Sequence, residues 1–375
     1  MEEFEKNLEE FCDKHIIEQA TLFDKNEEIS KKLIHKLFEL GYFQGIAGSK
    51  FGFQDWNNEQ IGIANKIVGK YSPALRTFLT VQGMCILSIK KWGSKKQKEK
   101  YINNLARGDY LCSFALSESE AGSDASNIQT TAIDFDENYY EVNGEKQWIS
   151  FASLSDGFLT FVKIDNKPTC ILIDRNTEGI RINYFKNTSA NRGTGMAQLI
   201  FDKCLVPKEN IIGGIGSGIN IVALFALDFG RYTVAWGALG IAERCLELAI
   251  KHTLTRKQFE KSLNDHDLIK KILTEMIVSV KNMELLSVST ARKRDNNDLK
   301  YMFESWCVKY FNTITCTQVS EKAIKLFGAN GLFYDSEINR LNRESKILEI
   351  IEGTTQIHEL TIATEYIRNN YQGRF

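Results

Sequence analysis

The chain has 375 residues but only three prolines, Pro73, Pro168 and Pro207, and none after Pro207. Its second half is thus free of the residue that breaks helices, and long helical patterns fill it. Eight cysteines (Cys12, Cys85, Cys112, Cys170, Cys204, Cys245, Cys307, Cys316) are scattered, and none forms Cys-x-x-Cys. Zinc and redox motifs therefore have no support, and no metal is expected. An excess of one charge sign is also missing. There are 47 Lys and Arg against 48 Asp and Glu, a net charge of −1. That removes the general electrostatic case for nucleic acid or an anionic membrane as partner. The start, Met1-Glu2-Glu3-Phe4-Glu5, is acidic and has no apolar signal-peptide core, and no uninterrupted apolar run is long enough to span a bilayer. A cytoplasmic protein with reduced thiols is expected.

What is present changes period twice. Residues 1–110 read as a helical domain. Leu8, Phe11, Cys12 and Ile16 make one stripe, and Leu33, Leu37 and Leu40 another, ended by Gly41. A Gly- and aromatic-rich loop is expected over 43–56, then two or three helices up to Leu105. Residues 111–215 read as an antiparallel β domain, with an apolar run over 110–116 and strands over 157–164, 169–174, 180–184 and 197–205. Asn143-Gly144 between alternating segments predicts a hairpin. Residues 216–375 read as helices over 219–254, 265–293 and 299–327, plus a last helix capped by Thr354 or Thr355 and running to about Tyr371. The helical–β–helical order is α+β, not the βαβα alternation of a nucleotide-binding sheet. Gly214-Ile215-Gly216-Ser217-Gly218 lacks the following strand and acidic residue, so it reads as a glycine-rich connection. Gly237 and Gly240, inside a helical pattern, predict close helix packing.

One carboxylate stands apart. In Ile350-Ile351-Glu352-Gly353-Thr354-Thr355-Gln356-Ile357, Glu352 precedes a helix N-terminus, whose dipole favours its ionised form, while apolar neighbours disfavour it. A carboxylate under opposed pressures is a candidate general base. The plainer alternative is a solvated glutamate in a capping region.

Several motifs stand in one order. They are Phe114-Ala115-Leu116-Ser117-Glu118-Ser119-Glu120-Ala121-Gly122-Ser123-Asp124, Gln147-Trp148-Ile149-Ser150, Arg256-Lys257-Gln258-Phe259, Leu326-Phe327-Gly328-Ala329-Asn330-Gly331 and the Glu352 segment. Together they resemble the acyl-CoA dehydrogenase family over nearly the whole chain. The resemblance implies an N-terminal helical domain, a middle β domain and a C-terminal four-helix bundle, with FAD between the last two. It implies that Phe114, Leu116, Ser117, Trp148 and Ser150 meet the flavin. Lys325, Thr354 and Gln356 are further FAD contacts, and Arg256 and Phe259 reach the FAD of a neighbouring subunit in a homodimer or homotetramer. Ser123, Asp228 and Arg231 fall on the substrate side. Glu352 is the base that takes the α-proton of an acyl thioester while the β-hydride goes to the flavin. The acyl carrier is coenzyme A or an acyl or peptidyl carrier protein, and the electron acceptor is an electron-transferring flavoprotein or oxygen. An oxidase of the same fold is the alternative. The chain departs from the family at Ser119 and Glu120, where Pro and Gly are usual, and at Lys325 and Asp267, where glutamines are frequent. Some relatives carry the base at the position of Gly230, which leaves Glu352 as the candidate.

Overall fold

The computed structural model describes residues 2–298 and 300–371. Its first part is helical: α1 (Glu2–His15), α2 (Ile17–Asn26), α3 (Lys31–Leu37), α4 (Tyr42–Ala47), α5 (Asn58–Tyr71), α6 (Pro73–Trp92) and α7 (Lys95–Arg107). Local chemistry sets the boundaries. Asn57 with Gln60 and Ser94 with Gln97 form capping boxes at α5 and α7, and Ser72 caps α6 ahead of Pro73. The segment expected as a loop is partly helical. α4 buries Tyr42 and Phe43, and Gly45 packs against Trp56, whose ring atoms would lie 2.3 Å from an added Cβ.

An eight-stranded sheet follows: β1 (Cys112–Ala115), β2 (Thr131–Asp134), β3 (Tyr139–Ile149), β4 (Gly157–Ile164), β5 (Lys167–Asp174), β6 (Ile180–Tyr184), β7 (Ala197–Pro207) and β8 (Ile211–Ile212). The order is β6-β7-β3-β2-β4-β5-β8, with β1 also on β4. Most pairings are antiparallel, but β1 and β2 both run parallel to β4 and lie end to end along it. The chain thus leaves the sheet after Ala115 and rejoins it at Thr131. The Asn143-Gly144 hairpin is not formed. β3 runs through it, with its register to β7 shifted between Val142 and Gly144. Gly144 has φ 138°, and a Cβ there would stand 2.7 Å from Thr130 Cα. This glycine serves a bulge and a close strand approach, which alternation on both sides does not distinguish from a turn.

Glycine-rich residues 213–218 connect β8 to a π-helical turn (Gly218–Ala223) that runs into α8 (Leu224–Thr255). α8 packs on α5 and α6 and on α9 (Asp267–Asp295) and α10 (Tyr301–Phe327), while α11 (Glu337–Leu348) and α12 (Thr355–Tyr371) close the bundle against α10. The start expected for α10, Leu299, lies outside the described residues. The stretch Gly218–Thr255 has the length and apolarity of a membrane span, but 67% of its most apolar part is buried inside the protein. Close packing explains the two helical glycines. A Cβ at Gly240 would lie 2.0 Å from Lys66 O, and one at Gly237 would lie 2.7 Å from Arg76 Cδ. The short strands β9 (Lys257–Gln258) and β10 (Lys261–Ser262) form a hairpin between α8 and α9. All eight cysteines are free thiols.

Candidate active site

α11 and α12 are joined by a short turn, and Thr354 caps α12 by accepting from the Ile357 N–H at 3.4 Å. Glu352, in that turn, has φ 57°, a left-handed conformation unusual for a residue with a side chain. Two cations from different helices hold its backbone. Arg231 Nε on α8 donates to Glu352 O at 3.1 Å, and Lys309 Nζ on α10 donates to Gly353 O at 2.6 Å. The carboxylate is pressed against α8, where a Cβ on Gly230 would come within 2.2 Å of Glu352 Oε2. Oε2 is buried without a hydrogen-bond partner, and the Glu352 N–H has no acceptor among the described residues. A solvated capping glutamate is therefore not what the fold builds.

Burial pushes the Glu352 carboxyl up to about 7, against the opposing pull of Arg231, Arg76 and Lys309. Burial also brings the Lys309 ammonium down to about 7, with Glu352 acting to raise it and Arg231 to lower it. His358 on α12 falls to about 3, through burial first and then Lys309 and Arg231, so it stays a neutral imidazole. The arrangement is a carboxyl that changes protonation near neutrality, which suits a group that takes up and returns protons.

Above this carboxyl lies a cavity of about 970 Å³ between the sheet and the helices. The β unit contributes Phe114, Leu116, Ser117, Ser123, Trp148 and Ser150; the helices contribute Arg76, Thr80, Arg231, Glu352 and Thr354. Trp148 is not a core ring of the sheet. A register shift between Lys146 and Ile149 puts it at φ 63°, 53% exposed and stacked on Phe185 with centroids 4.6 Å apart. Beneath Leu116–Ser119, Glu118 and Lys146 form a buried ion pair at 2.7 Å. Glu118 also accepts from Thr130 Oγ1 at 2.6 Å, and Lys146 donates to Leu116 O at 3.2 Å. The excursion between β1 and β2 is thereby pinned to β3. Across the cavity, Arg343 bridges Asp24 and Ser189 O, and Glu344 Oε1 accepts from the Asn191 N–H at 3.0 Å, fixing the 188–191 loop.

Five expected site residues do not line the cavity. Asp228 is drawn away by Arg294, an ion pair of 2.8 Å on the α9 side of α8. Lys325 and Gln356 are exposed on α10 and α12. Arg256 ends α8, and Phe259 sits in the turn of the β9–β10 hairpin at φ 52°, 89% exposed. Arg76, which lines the cavity, and Lys309, which holds the Glu352 turn, were not singled out from sequence. Their one signal was a charge inside an apolar helical stripe, as in Pro73-Ala74-Leu75-Arg76-Thr77-Phe78-Leu79 and Trp306-Cys307-Val308-Lys309-Tyr310-Phe311.

Comparison with known proteins agrees with this geometry. The N-terminal, middle and C-terminal domain families of acyl-CoA dehydrogenase match residues 1–109, 113–204 and 216–367. A 3-(aryl)acrylate reductase of Clostridium sporogenes is 29% identical over 97% of both chains. Butyryl-CoA dehydrogenase of Megasphaera elsdenii is 26% identical, with TM-score 0.93 over 98% of both chains. A chain solved in work on the electron transferring flavoprotein of Acidaminococcus fermentans is 27% identical, with TM-score 0.94 over 98% of this chain and 97% of that one.

Proposed function

Because the chain belongs to the acyl-CoA dehydrogenase family, oxidoreductases of CH–CH bonds, we propose that it is an FAD-dependent dehydrogenase of an acyl thioester with Glu352 as its base. The observation that carries the reading is the buried, unpartnered Glu352 carboxylate facing a large cavity. The cavity fits a flavin. Trp148 offers an exposed ring face, Ser117 and Ser150 offer hydroxyls and backbone groups to a polar ring edge, and Glu352 lies on the helical side. When bound, the flavin supplies the acceptor for the β-hydride.

The chain's own groups do the rest. Glu352 removes the α-proton. Its free N–H is a donor for the thioester oxygen, where charge develops as the proton leaves. Arg231 and Lys309 clamp the carbonyls of Glu352 and Gly353, so the base loop is held before substrate arrives. A carboxyl near 7 also returns a proton readily, so the site suits reduction of an enoyl thioester as well; the Clostridium sporogenes relative is named a reductase.

Coenzyme A and carrier proteins present the acyl group on the same phosphopantetheine arm, and both are candidate carriers. The likeness to the Acidaminococcus fermentans chain supports an electron-transferring flavoprotein as acceptor, with oxygen the oxidase-type alternative. The exposed Phe259 hairpin supports a homo-oligomer, with Arg256 and Phe259 reaching a neighbouring copy. The test is anaerobic stopped-flow reduction of the flavin by acyl-CoA and acyl-carrier-protein thioesters in wild type and Glu352→Gln. Loss of the base is expected to slow reduction by ~10²–10⁴-fold. A rate within about threefold of wild type, far less than a base contributes, would remove Glu352 from the chemistry.

A further inference from the structure

We propose that an exposed cationic stripe on α7 docks an acidic carrier protein, so that the acyl group reaches Glu352 on a protein-borne phosphopantetheine arm; this rests on the acyl-thioester reading above. The chain as a whole is balanced in charge, but residues 90–107 hold seven Lys and Arg against one acid, Glu99. Lys91, Lys95, Lys96, Lys100 and Arg107 are exposed. Lys91, Lys100 and Arg107 lie over the rings of Trp92, Tyr101 and Phe53 and pair with no carboxylate among the described residues. Lys95 meets Glu99 at 3.9 Å and Lys96 meets Glu209 at 2.6 Å, both in solvent, where such pairs are weak and exchange readily for another anion.

The stripe is rigidly mounted. Ser94 and Gln97 box the N-terminus of α7, and Gln97 Nε2 donates to Glu209 O at 2.7 Å and Ile211 O at 2.9 Å, tying the helix to the sheet. The opposite face of α7 buries Tyr101, Ile102 and Leu105. Lys96, Lys100 and Arg107 fall within about 40° of one another around the helix and span about 16 Å along it.

Packing places this stripe beside the opening of the cavity. α6 and α8 run antiparallel: Thr80 meets Thr233 at 2.9 Å, Gly83 faces Phe229, and Trp92 packs edge-on against Phe225 with centroids 6.3 Å apart. The end of α6 that carries Lys91 therefore lies at the start of α8. The cavity meets solvent there, where Asn220 and Leu224 line it and are exposed, as are Ser123 and Asp124 of the β1–β2 excursion. The stripe begins next to this opening and leads away from it. A coenzyme A nucleotide gathers its phosphates in a small volume, and the excursion by the opening is itself acidic at Glu120 and Asp124. A row of cations about three helical turns long suits instead the acidic face of a protein whose arm enters the opening. Its charges steer the encounter and fix the orientation.

The experiment uses the flavin-loaded protein and butyryl thioesters of holo acyl carrier protein, of CoA and of pantetheine. Binding is read by calorimetry in the Glu352→Gln background, and flavin reduction is read with Glu352 in place. A variant carrying Lys96→Glu, Lys100→Glu and Arg107→Glu is expected to weaken carrier-protein binding by at least about tenfold, as loss of complementary charge does. The CoA and pantetheine thioesters should keep their affinities, which also shows that the variant is folded. The same three positions changed to Gln should give a smaller loss, and added salt should weaken carrier binding more in the unreversed protein than in the reversed variant. Carrier binding unmoved by the charge reversal overturns the proposal. A loss confined to the CoA thioester overturns it in favour of a nucleotide contact. Carrier protein that does not bind, while butyryl-CoA binds and reduces the flavin, overturns it too and leaves the dehydrogenase reading standing. Absence of flavin reduction with all three thioesters would sink that reading and this one with it.

Discussion

Glu352 can be tested without knowing the substrate, because its burial links folding to pH. In the unfolded chain its carboxyl titrates near the ordinary 4.5; folding raises it to about 7. The folded state thus holds a proton that the unfolded state has already released between those values. The contribution to stability is complete below pH 4.5 and is lost as pH rises through about 7. At ~1.36 kcal/mol per pH unit, the buried charge costs up to about 3 kcal/mol by pH 8. Glu352→Gln keeps the shape and removes the charge. Lys309, itself brought down to about 7, can shed its proton when its partner is gone. Urea unfolding of wild type and Glu352→Gln, both flavin-loaded, should therefore give similar stabilities at pH 5 and a more stable variant at pH 8. A variant no more stable than wild type at pH 8, or a gap that ignores pH, would refute a desolvated carboxyl at this position.

Other outcomes follow from the same contacts. Gly230→Ala, the smallest possible addition, should sharply slow flavin reduction, because its Cβ would meet Glu352 Oε2 at 2.2 Å; Gly230→Glu combined with Glu352→Ala should recover part of the rate, and no gain over Glu352→Ala alone would show that the α8 position cannot host the base. Lys309→Met removes a cation that lowers the Glu352 pKa, so the acid limb of the pH–rate profile should move to higher pH; an unmoved midpoint would make Lys309 a purely structural tether. Lys146→Met should cost about 3–5 kcal/mol by stranding Glu118, and Lys146→Met with Glu118→Gln markedly less; equal losses in a denaturation cycle would mean that the pair is not coupled.

Much of the fold was legible in the sequence because burial writes its period there. The strands at 157–164 and 180–184 match to the residue, and the long helices after Pro207 match to within a few. Glycine was ambiguous. Gly144 carries the same neighbours in a bulge as in a hairpin, and only Thr130, fourteen positions earlier, decides between them. The candidate Glu352 was singled out through its turn and the family motifs. Its supports were not legible: Arg231 and Lys309 reach the Glu352 loop across 121 and 44 residues, and a buried lysine is spelled like a surface one. Asp228 shows the converse. The family resemblance put it on the substrate side with Arg231, but Arg294 on another helix captured it.

The collinear placement of β1 and β2 has a consequence for how such a site diversifies. Both ends of the excursion are moored to one strand, at Ala115 beside Thr160 and at Thr131 beside Lys163, and Glu118 and Lys146 fasten its inner part. Its outer part, Ser119, Glu120 and Gly122–Asp124, is exposed, and nothing lies within 4 Å of where a Gly122 Cβ would stand. Residues can be inserted or exchanged there without sliding any strand against its neighbour, since the ladder along β4 is already closed on either side. The sheet behaves as a fixed frame with an interchangeable rim, and that rim borders the cavity that Glu352 faces.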